Sequence, residues 1–382
     1  MTTDQYFNLA AAQRKHGQRA CKYAQYLQRT DPLADDVVAA FSQLPAGKGM
    51  RLLDRALGEG IAAVPDAPAA LHRLFEQLDD VPFWVDWDEL DRGGAAFLRS
   101  GLLGAAVITL YSLPLSYRSP SGNKPLIFSG QLTHRAGRRM GETARFVLAT
   151  CLPGGLRRFS DGFKITVKVR LMHAQVRRLL LRSGRWDMDA WGAPINQCYM
   201  AGTNLLFSTN LSAGLRRLGY RHSRAESEAL MQLWRYSGYL SGIEPELLCV
   251  TEQEALRLAS LIVLVDKPPD QDSLNLVKAL LEVSMVPQQW KGTRWCTDMA
   301  FGLSRALLGE EIADQLRLPK TPWRFVVPAM RPLVLAGNLA RRRIPAGQGL
   351  ADRLGVRMWQ WGADNQLAGI PASFHLPEYL AQ

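Results

Sequence analysis

Apolar residues recur at i, i+3, i+4 spacing along most of this 382-residue chain, and each such stretch predicts an amphipathic helix. The clearest are Leu52 to Leu57, Ala69 to Leu78, Ala136 to Leu152, Ile165 to Leu181, Ala225 to Leu240 and Glu252 to Val265. Period-two alternation is scarce. Trp323 to Val327, between Pro322 and Pro328, is a short strand candidate, and Ile108 to Tyr117 fits helix or strand. The expected fold class is all-α: a single large helical bundle, globin-like in helix content. Ser, Gly, Asn and Pro accumulate from Ser119 to Pro125 and predict a loop, as does Lys267 to Asp272. No internal repeat or low-complexity tract suggests a solenoid.

Composition narrows the class without changing it. With 47% hydrophobic and 21% charged residues the chain has enough apolar surface for a large core. The longest apolar run, Gly101 to Leu113, closes at Pro114 and falls short of the roughly 20 residues a membrane span needs, so no stable membrane insertion is expected. The first residues lack a basic region followed by an apolar stretch, and the five cysteines are scattered singly. Both features predict a cytoplasmic, reducing location. The net charge of +11 is spread along the chain, and Arg341 to Arg343 reads as a solvated helix end, so nucleic acid is not an expected partner. There is no Gly-x-Gly-x-x-Gly, no phosphate-cradling loop around Gly47-Lys48, no Gly-x-Ser-x-Gly and no His-Glu-x-x-His. Nucleotide, serine-hydrolase and zinc chemistry have no motif to rest on.

Of the six histidines only His173 sits in the middle of a strongly periodic helix. Val169, Arg170, His173, Val176, Arg177 and Leu180 share one face, apolar but for the imidazole and two guanidinium groups. Turned inward, that face needs partners, because unpaired buried polar and charged groups cost several kcal/mol. A haem would supply them: iron for the imidazole, propionates for Arg170 and Arg177. The alternative is that both arginines pair with carboxylates on a neighbouring helix around a hydrogen-bonded core histidine. A second helix, Leu132 to Cys151, aligns Arg135, Arg139, Glu142, Thr143 and Phe146 along one side. Arg139 and Glu142 are either a surface pair or groups facing a bound cofactor.

Arg139-x-x-Glu142-Thr143 followed by Arg170-x-x-His173-x-x-x-Arg177 resembles the core signature of the latex-clearing proteins and the wider MpaB-type family. Val81-Pro82-x-Trp84-Val85-Asp86, Gly192-x-Pro194-Ile195-Asn196-Gln197 with Thr203 and Phe207, and Trp234-Arg235-x-x-Gly238-Tyr239-Leu240-x-Gly242-Ile243 match in the same order. The resemblance implies a haem b protein. His173 would be the axial ligand and the metal's only protein donor. Arg139, Thr143 and Glu142 would be catalytic groups, and Arg170, Arg177, Phe146, Thr203 and Phe207 would hold the cofactor. It divides the chain into an N-terminal helical extension (1–74), a haem-binding core (75–265) and a C-terminal helical layer (266–382). The implied activity is a haem-dependent oxygenase that takes a hydrophobic or unsaturated small molecule, dioxygen and an electron donor. Where this chain has Glu142 the latex-clearing proteins have lysine, and those acting on rubber are exported, so the implied substrate is a smaller molecule than rubber. A peroxidase or peroxygenase using a distal carboxylate, and a basic helical binding module without redox chemistry, are the competing readings.

Overall fold

The computed structural model describes residues 8–128, 136–283, 294–344 and 347–367, and among them every regular element is a helix. The all-α expectation holds. Helix starts follow ordinary capping chemistry. Asp31 accepts from Ala34 N ahead of Pro32–Phe41, Asp86 from Glu89 N ahead of Trp87–Arg99, and Ser160 from Phe163 N ahead of Asp161–Arg182. Ser223 with Glu226 and Thr251 with Glu254 form reciprocal capping boxes before Arg224–Leu240 and Glu252–Val265.

Two local expectations are corrected. Trp323 to Val327 is not a strand: Pro322–Phe325 is a tight turn that runs into the helix Val326–Arg343, and a proline suits the first position of such a turn. Nor is Ser119 to Pro125 a loop, because Pro120–Phe128 is helical. Its polar residues bind backbone at the helix start: Ser119 Oγ accepts from Gly122 N, and Asn123 Nδ2 donates to Tyr117 O. The ambiguous Ile108 to Tyr117 stretch is helical, with a wide π turn over Ile108–Ser112. Pro114 has no N–H to offer the carbonyl of Leu110, and Ser304 Oγ donates to it instead at 2.7 Å.

One apolar core takes in side chains from Ala34 to Trp359, so all three stretches of the chain contribute to it. A smaller core joins Leu9, Tyr23 and Leu27 to Cys198, Leu261 and Val265. Packing is tightest around Trp87–Arg99. A Cβ on Gly93 would stand 2.3 Å from Ala229 O, one on Gly94 2.2 Å from Cys151 O, and one on Gly355 2.2 Å from Leu98 O. Three helices therefore meet this one backbone to backbone: Arg224–Leu240, Ala136–Cys151 and Gly347–Leu367. Gly94→Ala is expected to lower the unfolding free energy by about 1–3 kcal/mol in a denaturant titration, because the added methyl has no room. Gly58→Ala, on an open helix surface, is the control and should be neutral or slightly stabilising. Among the described residues no single helix is long and apolar enough to cross a membrane. Trp87–Arg99 with Gly101–Tyr117 passes on length and composition only as a pair bent by 85°.

Candidate active site around His173

The helix Asp161–Arg182 carries His173 into the molecule, and the helix Ala136–Cys151 packs beside it. His173 Nδ1 is sealed from solvent without a hydrogen-bond partner. Burial above all, then Arg177, pushes the imidazole pKa down to about 4; Asp31 pulls it the other way, and Arg139 adds a smaller depression. The ring is therefore neutral at ordinary pH, the form whose lone pair can bind a metal. Among the described residues no three His, Cys, Asp or Glu side chains converge as a metal cage, so His173 is not part of one.

The two arginines flanking it have different partners. Arg170 is buried, and its Nε and Nη2 grip both oxygens of Asp31 at 2.6 and 2.9 Å. Its Nη1 donates to Gln77 Oε1 and to Leu240 O. All three nitrogens of that fork have protein partners, and Arg170 stands in a buried ion pair with Asp31. Arg177 donates through Nε to Asp35 Oδ1 at 2.8 Å and through Nη1 to Ile195 O at 2.9 Å. Its Nη2 is buried and unpartnered. Both carboxylates come from the helix Pro32–Phe41 and its cap, residues the sequence reading passed over. The Asp31-Pro32 pair was a legible helix start, but nothing in it named Arg170 as a partner.

On the neighbouring helix Arg139 acts on His173 and also on Tyr117, whose hydroxyl burial raises and Arg139 lowers. Glu142 accepts from Arg138 Nε at 3.0 Å, rather than from Arg139 or Arg145. Arg145 reaches toward Asp364. Thr143 is half-buried one turn beyond Arg139. Phe146 leads into an aromatic stack, 6.5 Å from Phe207 and 6.3 Å from Trp234, with Phe207 and Trp234 rings 4.8 Å apart. Phe207 and Phe146 are thus core packing at the edge of the site. Thr203 is not brought to His173. It lies on the exposed side of Gln197–Phe207, whose Cys198, Met200, Ala201 and Leu205 are buried, bonds to Tyr199 O at 2.8 Å and lines a separate cavity with Tyr199 and Asp266. Arg135 and His134 fall outside the described residues.

A family model described as "ER-bound oxygenase mpaB/B'/Rubber oxygenase, catalytic domain" matches residues 93–341. The chain belongs to this family. It is an oxygenase by that membership, and it is 26% identical over 302 residues to a rubber oxygenase from Streptomyces sp. (strain K30), covering 76% of this chain and 71% of the relative. Its fold matches the closed-state structure of latex clearing protein LCP with a TM-score of 0.67 at 22% identity, over 86% of this chain and 88% of that one.

Within this oxygenase domain the stretches that carry the resemblance are far apart in sequence and meet at the His173 helix. Ile195 O takes Arg177, and Gln197 ties Thr30 O to Gly242 O and accepts from Glu244 N. Gly242 has φ +81, and a Cβ there would lie 2.3 Å from Asp31 Oδ2 and 2.6 Å from Arg170 Nε. Only glycine leaves room for that ion pair.

Proposed function

We propose that this oxygenase binds haem b through His173 and oxidises a hydrophobic, unsaturated small molecule with dioxygen, drawing on an electron donor. One observation carries the reading: a neutral imidazole with an unpartnered buried nitrogen and, one turn on, a guanidinium with an unpartnered buried N–H. A haem fits both, since its iron accepts the imidazole and a propionate accepts from Arg177 Nη2. When bound it would supply the metal at which dioxygen reacts. Arg177 would orient the cofactor, while Asp31, Asp35 and Gln77 hold Arg170 and Arg177 in place from behind. Arg139, with Thr143 one turn on, would offer a cation and a hydroxyl to what binds beside His173. Glu142, steadied by Arg138, would hold or take a proton at its carboxylate. The aromatic stack of Phe146, Phe207 and Trp234 would keep water from the apolar end, which suits an apolar substrate.

The purified protein should show a Soret band, and an olefinic test substrate should turn over with dioxygen. A peroxygenase would need peroxide for the same product, and a colourless protein would end the haem reading. Glu142→Gln should keep its haem and lose at least roughly tenfold in turnover, in the range of general acid-base contributions. Unchanged turnover would mean that Glu142 serves only its pair with Arg138.

A further inference from the structure

The last two helices carry an apolar surface with no counterpart elsewhere in the described chain. On Val326–Arg343 and its cap, Val326, Met330, Leu333, Gly337, Ala340 and Ile344 succeed one another at alternating intervals of four and three, which is one stripe of an α-helix. The stripe faces outward: Leu333 is 75% and Ile344 60% exposed, whereas Val327 and Asn338 are buried. On Gly347–Leu367, Leu350, Leu354, Met358 and Trp361 repeat the pattern, with Trp361 64% exposed. Met358 extends this second stripe to the turn at Gly101, next to exposed Leu102. Nine of the 18 large hydrophobic residues exposed in the described chain fall between Phe325 and Trp361, on two helices in contact with each other and the turn before them, which is more than ordinary scatter.

The charges beside it have one free sign. The acidic residues of these helices, Asp352 and Asp364, are turned to Arg99 and Arg145. Arg331, Arg343, Arg353 and Arg357 stand exposed. At the start of the first stripe, Arg324 and Arg331 line an open cleft of about 950 Å³ with exposed Phe325 at its lip; the other charged groups there are engaged, Arg216 with Glu252, Arg217 with Leu307 O and Glu310 with Arg305.

We propose that this face docks on an anionic lipid surface, the stripes entering the boundary between headgroups and acyl chains while the arginines meet lipid phosphates. Exposed leucines and a tryptophan framed by cations are what an in-plane membrane contact uses. A second copy of the chain would set arginine against arginine. A nucleic acid would leave Leu333 and Trp361 in water.

Co-sedimentation with phosphatidylcholine vesicles, with and without phosphatidylglycerol, tests the assignment on the full chain. Binding should be at least roughly tenfold stronger to the anionic vesicles and should fall with added salt. Met330→Glu/Leu333→Glu alters only exposed side chains, so its circular dichroism and thermal unfolding should match wild type while vesicle binding drops at least roughly tenfold. The proposal is overturned if wild type stays in the supernatant with anionic vesicles at low salt, if both vesicle types bind it equally, or if the Glu variant binds as wild type does. A dimer in light scattering that the Glu variant dissociates would also overturn it, by giving the face to a second copy.

Discussion

His173→Ala should abolish stable haem binding. The variant is expected to purify without most of its Soret absorbance and to retain its helical circular dichroism. The residue is the neutral nitrogen donor at the centre of the site, with Nδ1 buried and unpartnered; the other histidine with buried, unpartnered ring nitrogens, His222, sits against Tyr220 and Glu226 instead. Folding should survive because the substitution removes a group whose polar atom has no protein partner, so no bond inside the protein is broken. His72→Ala, half-buried on Ala69–Asp79, should purify with wild-type haem content. Haem content, read by pyridine haemochrome absorbance per mole of protein, decides the matter. Equal content in His173→Ala and wild type would move the ligand elsewhere.

The second large effect is on stability. Asp31→Ala should lower the unfolding free energy by about 3–5 kcal/mol, because it leaves the Arg170 guanidinium buried with its charge uncompensated. That is a large part of the roughly 5–15 kcal/mol that holds a domain folded, so the variant should aggregate or express poorly at 37 °C. Asp36→Ala is the comparison: its pair with Arg73 is half-exposed at both ends and should contribute about 0–1 kcal/mol. Combining Asp31→Leu with Arg170→Met removes both charges, and denaturant midpoints should recover much of the loss. A loss under about 1 kcal/mol for Asp31→Ala would show that water reaches this pair in solution.

The helices were legible because each must bury one face, and that demand writes a period into the sequence. It located the His173 helix and its polar interruptions. It could not say which guanidinium was already spoken for, because Asp31 and Asp35 lie more than a hundred positions from Arg170 and Arg177 and belong to a short helix with little pattern of its own. The strand expected at Trp323 failed because five residues between prolines are too few for period two to outweigh a proline-initiated turn. Thr203 sits on the exposed side of its helix although Met200, Ala201 and Leu205 around it are buried, an orientation that a matching stretch of sequence does not settle. Glu142 lies on the expected helix and pairs with Arg138: Arg138, Arg139 and Arg145 are all within reach of it along the helix, and only the packed structure separates them.

The span 93–341 that defines the family leaves out the two carboxylates that neutralise the His173 helix from behind. A recombinant fragment cut at those limits would retain every residue proposed to touch cofactor or substrate, yet it would contain two arginines stranded in an apolar interior. Its boundaries mark where relatives can be aligned and not where the chain can stand alone. Anyone shortening this enzyme for crystallography or engineering has to begin upstream of Asp31, since the helix Pro32–Phe41 and its cap act as counter-ions to its centre.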